Sequence, residues 1–269
     1  MREEGLGELL RRVSVGVARR VRPEFLDECD LAYYALDAGS RPGVMVDVGA
    51  HIGMALLPFA RSGWRVVAAE PDSVNRAKLL ESVAGNPRVT VDSRDVSNTR
   101  IEKISLYRSE VSTGISGLSA FDASHVEAET VSAQTAADLL GQNGISAVDF
   151  LKIDTEGYDF FVLQGWPWAD VKPRVIVCEF EDKKSLPLGY SWRDMADYLV
   201  AQGYRVIVSE WYPIVRYGVG HRWRAFADYP CSLADATGWG NLVAVRDSEV
   251  ERGLRGSLSR FRMYQPQDR

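Results

Sequence analysis

The sequence has few cysteines and no long apolar run. Its three cysteines, Cys29, Cys178 and Cys231, are far apart in 269 residues and odd in number, so they form neither a metal-binding pattern nor a disulfide framework. This usage favours a reducing, cytoplasmic location. No run is long or apolar enough to cross a membrane, and residues 1–10 carry too many charges to resemble a signal peptide.

The chain also lacks an excess of basic charge. Its net charge is −5 and its pI is about 5.4, with charges of both signs mixed along the sequence. Because phosphate binding usually needs a basic face, we expect no nucleic-acid partner. A chain of this length can bury its core as one large α/β domain or two small ones, and we expect one. The sequence leaves a homodimer open.

The stretch 44–53, VMVDVGAHIG, is the most informative part of the chain. Its three valines have the β-branched, apolar character of a buried parallel strand. Gly49 ends this strand, and Gly53 follows four residues later at the start of an apolar run. A strand, a glycine turn and a helix in succession bring backbone N–H groups and a helix N-terminus up to a nucleotide-like ligand.

Two carboxylates sharpen this interpretation. Asp47 precedes the glycine turn, and Glu70 ends the next predicted strand, 65–70. An acidic residue about 20 positions after the turn is placed to accept hydrogen bonds from both ribose hydroxyls. NAD-binding oxidoreductases share this arrangement and are a competing class, but their glycine pattern is GxGxxG, whereas Gly49 and Gly53 form GxxxG.

Strands and helices alternate from residue 43 onwards, which favours a doubly wound parallel sheet. The predicted elements are strands at 44–48, 65–70, 89–91, 148–154, 175–181 and 204–209, and helices at 54–63, 73–85, 158–164 and 191–202. A last strand at 241–245 is expected in an antiparallel pair at the sheet edge. We also predict a short edge strand at 126–131, a helix capped by Thr135, amphipathic helices at 6–17 and 23–39, and a frayed, polar C-terminal tail.

Two long connections lack a regular period. Residues 109–124 are rich in small and hydroxyl side chains, and we interpret them as a mobile flap over the acceptor site. Residues 210–239 hold seven aromatic side chains together with His221. Such aromatics can stack on a sugar or another apolar acceptor, or simply pack on each other. A glycan-binding module without catalysis is therefore the non-enzyme alternative.

A group of charges follows the predicted strand at 148–154. Lys152, Asp154 and Glu156 alternate there along the chain, immediately before a glycine and the next helix. In open α/β sheets, ligands bind outside the carboxyl ends of the strands. We therefore expect Asp154 and Glu156 to lie beside the turn at Gly49.

Together these motifs resemble the FkbM family of S-adenosylmethionine-dependent O-methyltransferases. The resemblance is carried by VDVGAHIG (46–53), AEPD (69–72), LKIDTEGYDFFVLQG (151–165) and CEFE (178–181), which stand in the family's order. It implies a Rossmann-like, seven-stranded class I methyltransferase sheet with helices on both faces and the last strand antiparallel. The implied methyltransferase domain is 43–247, with its flap at 108–125, between an N-terminal helical arm, 1–42, and a polar tail, 248–269.

The resemblance also implies how S-adenosylmethionine is held. The methionine end of this cofactor would be surrounded by Asp47, Gly49 and Gly53, and Ala50 and His51 of the same turn would also bind the cofactor. The remaining contacts would come from Glu70 and Pro71 at the ribose, Asp95 and Val96 at the adenine, and Asp154 near the methyl group. The expected acceptor is a hydroxyl of a sugar or glycan, and a polyketide or other secondary-metabolite hydroxyl is the alternative.

An alcohol that accepts a methyl group must lose a proton, and a placed base typically adds about 10² to 10⁴ in rate. The candidates are Asp154, Glu156 and His221, of which His221 has the better intrinsic pKa and Asp154 the better expected position. A divalent metal such as Mg²⁺ is not expected; if one binds, its ligands are Asp154, Glu156 and Glu179. These carboxylates could instead pair with Lys152 or with backbone N–H groups.

Overall fold

The computed structural model describes residues 27–217 and 220–260. At its centre is an eight-stranded sheet with helices on both faces, which is the doubly wound α/β class that the sequence predicts. The helix predicted at 6–17 lies outside the described residues, as do the first residues of the helix predicted at 23–39. Among the described residues, none of the helices has the length and apolar character needed to span a membrane.

The strands form one large and one small sheet. In chain order they are β1 (Val44–Val48), β2 (Arg65–Ala69), β3 (Val89–Asp92), β4 (Asp95–Ser97), β5 (Ile101–Ser109), β6 (His125–Thr135), β7 (Phe150–Ile153), β8 (Val175–Glu181), β9 (Arg205–Trp211), β10 (Trp223–Asp228) and β11 (Trp239–Val245). The large sheet has the order β10-β9-β11-β8-β7-β1-β2-β3, and the small sheet has the order β4-β6-β5.

Six strands of the large sheet run parallel, and β11 runs antiparallel between β8 and β9. We predicted that the last strand lies in a pair at the sheet edge. The structure instead places it inside the sheet. The edge is formed by β10, which pairs antiparallel with β9 and adds an eighth strand to the seven expected. This extra strand comes from the aromatic region 210–239, which is thus partly integrated into the sheet.

Alternate residues of each buried strand face opposite helical layers. In β1, Val46 and Val48 point into one apolar cluster and Met45 into the other. The first layer contains α4 (Ala136–Gln142), α5 (Asp159–Gln164) and α7 (Trp192–Ala201). The second contains α1 (Glu28–Ala35), α2 (Leu57–Arg61), α3 (Ser73–Ser82) and α8 (Ser248–Arg260), while α6 (Asp182–Ser185) is a single turn after β8.

The helix starts follow the capping signals of the sequence, with one exception. Asp72, Thr135 and Ser191 each accept hydrogen bonds from the first turn of the helix they precede, and the cap at Thr135 was predicted. The exception is α2, which begins at Leu57, whereas we predicted a start at Met54. Proline fits the first turn of a helix without losing a hydrogen bond, so Pro58 marks the true beginning.

The C-terminal segment is helical, so the prediction of a frayed tail is wrong for residues 248–260. In α8, Val250 and Leu254 are each only 1% exposed, and both belong to the apolar cluster that contains α1. A side chain at Gly253 would come within 3.1 Å of the Ala35 carbonyl oxygen, so the two helices cross at close range. Residues 261–269 lie outside the described part of the chain.

The small sheet is larger than the sequence indicated. We predicted a short edge strand at 126–131, but β6 spans eleven residues and pairs with both β4 and β5. β5 was not predicted. The connection between β5 and β6 contains a single turn of 3₁₀ helix, Thr113–Ile115. This connection lies over the carboxyl ends of the large sheet, where Gly117 packs against Glu156.

Candidate active site

Gly49 allows β1 to approach β7 closely at the carboxyl end of the sheet. Its φ is +77°, and a Cβ at this position would lie 1.8 Å from the backbone oxygen of Asp154. Only glycine avoids both the left-handed strain and this collision. His51 is also left-handed, at φ +50°, which is uncommon for a residue with a side chain. The turn thereby places His51 next to the end of β7.

Glu70 lies at the end of β2, where the sequence placed it. It is 5% exposed, and its two carboxylate oxygens accept the N–H groups of His51 (2.6 Å) and Asp72 (2.9 Å). Burial raises the pKa of Glu70 to about 8, although these two hydrogen bonds favour its charged form. A buried carboxylate of this kind is suited to accept hydrogen bonds from hydroxyl groups of a ligand.

Glu70 lines a cavity of about 240 Å³, which we call the Glu70 cavity. Of the residues predicted to bind the cofactor or the acceptor, this cavity brings together Gly49, His51, Glu70, Pro71, Asp95, Asp154 and Glu156. Asp95 is 3% exposed and accepts the N–H of Val96 at 2.7 Å, and burial raises its pKa to about 7. The predicted cofactor residues thus largely converge on one cavity.

Two residues in the wall of the Glu70 cavity carry a polar side-chain atom without a hydrogen-bond partner. Asn75 Oδ1 and Thr155 Oγ1 are buried and have no hydrogen-bond partner among the described residues. Because buried polar groups are normally satisfied, these two atoms mark the wall as a place where further polar contacts would be favourable. Neither residue was predicted, since an isolated Asn or Thr carries no signal in a single sequence.

The loop 109–124 forms one wall of the Glu70 cavity, whereas we predicted it to lie over the acceptor site. Thr113 contributes its hydroxyl to a 3.1 Å hydrogen bond with the His51 ring, and its carbonyl accepts from the Asn75 amide at 3.0 Å. His125, the first residue of β6, holds the loop in place. Its Nε2 donates to the Ile115 carbonyl at 2.7 Å, and its Nδ1 accepts two loop N–H groups.

Lys152 connects the glycine turn to Asp154. Its Nζ donates to the Gly49 carbonyl at 2.8 Å and lies 3.3 Å from Asp47 Oδ1 and 3.4 Å from Asp154 Oδ2. Asp47 is fully buried, and burial raises the pKa of its carboxyl while the ammonium of Lys152 opposes that shift. Asp47 therefore contacts Lys152 and does not line the Glu70 cavity.

A second cavity, of about 290 Å³, lies on the other side of the glycine turn, and we call it the Trp239 cavity. Trp211 and Trp239 form its apolar wall, with ring centroids 5.5 Å apart. Its polar groups include Asp27, Glu28, Lys152, Asp154 and Asn241. The sequence predicted the aromatic contribution of the region 210–239 but not Glu28, which accepts the indole N–H of Trp211 at 2.8 Å.

The two cavities share His51 and Asp154. The Asp154 side chain is 38% exposed, so its carboxylate is accessible at this junction. A ligand in one cavity and a ligand in the other would therefore meet beside Asp154. This is the arrangement that a reaction between two bound molecules requires.

Three further predicted cofactor residues lie outside the Glu70 cavity. Ala50 lines the Trp239 cavity, Val96 is fully buried in the apolar core, and Gly53 packs against α3. A Cβ on Gly53, whose φ is +91°, would come within 2.6 Å of Leu79. These residues shape the turn and the core next to the cavity. The position of a residue in the motif does not show whether its side chain lines the cavity or packs behind it.

His221 is separated from the shared junction. Its ring packs edge-on against Trp239, with centroids 5.1 Å apart, and lines a different cavity with Tyr212, Val215 and Arg222. Burial lowers the pKa of His221. The structure therefore brings Asp154, and not His221, to the junction of the Glu70 and Trp239 cavities.

The three candidate metal ligands lie together, but a lysine accompanies them. Ligand oxygens of Asp154, Glu156 and Glu179 are within 4.8 Å of one another. Lys184 Nζ lies 2.6 Å from Glu156 and 2.9 Å from Glu179. The sequence suggested Lys152 as the cation that pairs with these carboxylates. In the structure, Lys152 forms ion pairs with Asp47 and Asp154. The two glutamates pair with Lys184, which we did not predict.

The lining of the Glu70 cavity argues against a dinucleotide ligand. Four carboxylates line it, from Glu70, Asp95, Asp154 and Glu156, and the described residues of its wall include no Lys or Arg. A pyrophosphate in this cavity would lack a basic side chain to pair with. The cavity therefore suits a nucleoside without phosphate groups better than a dinucleotide.

The sheet order, with its inserted antiparallel strand, and the carboxylate at the end of β2 define a class I methyltransferase. The family model described as "Methyltransferase FkbM domain" matches residues 47–206. The chain belongs to this family, as its motifs indicated. No curated protein matches it in sequence.

Solved structures of methyltransferases are similar to this chain at low identity. An O-methyltransferase from Bacillus cereus in complex with SAH is 14% identical, with a TM-score of 0.40 over 91% of this chain and 92% of its own. A putative O-methyltransferase from Klebsiella pneumoniae is 12% identical, with a TM-score of 0.44 over 82% of each chain. TomG from Streptomyces achromogenes, an O-methyltransferase of tomaymycin synthesis in complex with SAM, is also 12% identical, with a TM-score of 0.43 over 83% and 82%.

Proposed function

We propose that the protein is an S-adenosylmethionine-dependent O-methyltransferase that acts on a hydroxyl of a sugar or glycan. The observation that carries this proposal is the junction of two cavities at His51 and Asp154. The Glu70 cavity would hold the cofactor, and the Trp239 cavity would hold the acceptor. Holding two reactants side by side can lower a barrier by about 7 to 11 kcal/mol.

The residues of the Glu70 cavity fit S-adenosylmethionine. Glu70 offers carboxylate oxygens for ribose hydroxyls, and Asp95 offers one for an adenine amino group. The described wall of the cavity contains no Lys or Arg that would repel the positive sulfonium centre. When bound, this cofactor supplies an electrophilic methyl group.

Asp154 is the proposed general base. Its accessible carboxylate faces both cavities, so it can take the proton from an acceptor hydroxyl in the Trp239 cavity. Lys152, at 3.4 Å, orients that carboxylate and is itself held by Asp47 and the Gly49 carbonyl. Asp47 thus acts through Lys152, as a positioning residue.

The composition of the Trp239 cavity supports a sugar acceptor. Trp211 and Trp239 offer flat apolar faces, while Glu28, Asp154 and Asn241 offer polar atoms that can pair with hydroxyl groups. Ligand sites commonly combine aromatic walls with a few orienting polar groups. Met54, which is 70% exposed in the same wall, favours a second candidate acceptor, a more apolar alcohol such as a polyketide hydroxyl.

Methyl transfer from radiolabelled S-adenosylmethionine to a panel of sugars, nucleotide sugars and polyketide alcohols tests the proposal. We expect product with a sugar acceptor and a fall in kcat of about 10² to 10⁴ in Asp154→Asn, because the amide cannot accept the proton. His221→Asn is the matched control and should retain kcat within about twofold. Loss of turnover in His221→Asn but not in Asp154→Asn would contradict the assignment of the base. If only the polyketide alcohols became labelled, the sugar acceptor would be wrong and the polyketide hydroxyl would be the acceptor.

A further inference from the structure

The Lys184 ammonium lies at the centre of a buried group of glutamates. Its Nζ is 2.6 Å from Glu156 Oε2, 2.9 Å from Glu179 Oε2 and 3.0 Å from Glu181 Oε2. The side chain of Lys184 is only 2% exposed. Glu179 and Glu181 face the same side of β8 because they are two residues apart, and α6 turns Lys184 back toward them.

This ammonium occupies the position that a divalent cation would need. Mg²⁺ binds carboxylate oxygens at about 2.0–2.1 Å, in a nearly octahedral arrangement. Two of the three candidate metal ligands, Glu156 and Glu179, already direct an oxygen at Lys184 Nζ. A metal bound to both would have to share that space with a like charge. The donor set therefore does not fit a metal ion while Lys184 is in place.

Two other segments pack against Lys184, and a third fixes one of them. A Cβ on Gly157, at φ +102°, would approach the Lys184 Cβ to 3.1 Å, so glycine makes room for this side chain. The Phe121 ring of the loop 109–124 lies 5.3 Å from the ammonium, in cation–π contact. Tyr190 donates to the Gly157 carbonyl and fixes the turn. The surroundings are shaped for this lysine.

We propose that Lys184 is a built-in cation that takes the place of a divalent metal beside the reaction centre. It is a positioning residue for Glu156, which lies in the wall of the Glu70 cavity with an unfavourable left-handed φ of +56°. Its charge compensates the neighbouring carboxylates and holds Glu156 in that conformation. The proposal rests on the proposed function in one respect only, the assignment of the Glu70 cavity beside Glu156 to the cofactor.

Mn²⁺ binding, followed by electron paramagnetic resonance and by thermal unfolding, tests this proposal on the full chain. Wild-type protein should bind no Mn²⁺ and keep its Tm in Mn²⁺ or EDTA. K184A should lose more than about 6 °C in Tm, because the buried carboxylates lose their counter-charge, and should regain stability by binding one Mn²⁺. The control K183A removes the adjacent lysine, which is 56% exposed and 3.8 Å from Asp122, and should do neither.

The proposal is overturned if wild-type protein binds one Mn²⁺ that E179Q loses, or if folded K184A gains no Mn²⁺ site. Should K184A fail to fold, the comparison of wild type with E179Q decides by itself. A merely structural lysine would not exchange for a metal, so the gained site distinguishes the two roles. None of these measurements requires turnover, and failure of the methyl-transfer proposal would therefore be seen separately.

Discussion

At the scale of single residues, Glu70 combines deep burial with a proposed task, the binding of ribose hydroxyls, that favours its charged form. Among the described residues, the N–H groups of His51 and Asp72 donate to its carboxylate. Burial outweighs them and raises its pKa to about 8. The protein therefore gives up stability at neutral pH to keep a hydrogen-bond acceptor ready at the end of β2.

Glu70 should make the stability of the ligand-free protein fall as the pH rises. An acid whose folded pKa is raised binds its proton more tightly when folded, so its stabilisation is complete below the unfolded pKa and is lost as the pH approaches about 8. We expect wild-type protein to lose on the order of 2 kcal/mol more than Glu70→Gln between pH 6 and 8. Urea unfolding at a series of pH values measures this difference.

Glu102→Gln, which changes an exposed glutamate of β5, is the control and should follow the wild-type pH dependence. Equal slopes for Glu70→Gln and wild type would show that Glu70 is charged in the folded state throughout this range. The buried carboxylate would then have to be compensated by something other than its two N–H donors.

Residue positions at strand ends were predictable, whereas partners distant in sequence were not. Glu70 and Asp154 follow predicted strands directly, and the topology of a parallel sheet brings such residues together. Lys184 lies in the charged segment Asp182–Ser185, which reads as an exposed turn. Its burial depends on Glu156, 28 positions earlier, and nothing in the local pattern reports that contact.

At the scale of elements, the glycine turn after β1 is the part of the site with the least tolerance. Gly49 has a left-handed conformation and also stands against the backbone of Asp154. Gly63, after α2, has nearly the same φ, +79°, but open space where its Cβ would lie. A comparison of substitutions at Gly49 and Gly63 therefore separates the cost of backbone strain from the cost of a steric clash.

Gly49→Ala should destabilise the protein far more than Gly63→Ala. Left-handed strain costs both variants about 1 to 2 kcal/mol, but only Gly49→Ala also forces β1 and β7 apart. We expect a loss of more than about 4 kcal/mol, or no folded protein, for Gly49→Ala. Thermal and urea unfolding of both variants give the comparison, and equal losses would contradict the close contact between β1 and β7.

Elements stabilised by distant pairing were the hardest to predict. β5 has only a weak alternation of apolar residues, and it forms because β6, across the loop 109–124, supplies its hydrogen bonds. In contrast, α4 and α7 begin with capping boxes, so their starts were evident from local chemistry. The helix α8 was missed because its apolar side is narrow, with Val250 and Leu254 buried against α1.

At the scale of the whole molecule, the sheet order brings the candidate site residues together at the carboxyl ends of the central strands. β1 lies between β2 and β7, so the Gly49 turn, Glu70 and Asp154 come from three neighbouring strands. The fold class followed from the alternation of strands and helices. The eighth strand did not, because β10 lies in an aromatic segment without a clear period and pairs only with the edge strand β9.

The central claim, that the Glu70 cavity binds S-adenosylmethionine, is tested most directly by calorimetric titration with S-adenosylhomocysteine and, separately, with NADH. We predict micromolar binding of S-adenosylhomocysteine, no binding of NADH, and a loss of affinity of at least about tenfold in Glu70→Ala, since hydrogen bonds to a charged group are worth about 1.5 to 3 kcal/mol. Binding of NADH alone, or of neither ligand to folded protein, would contradict the account.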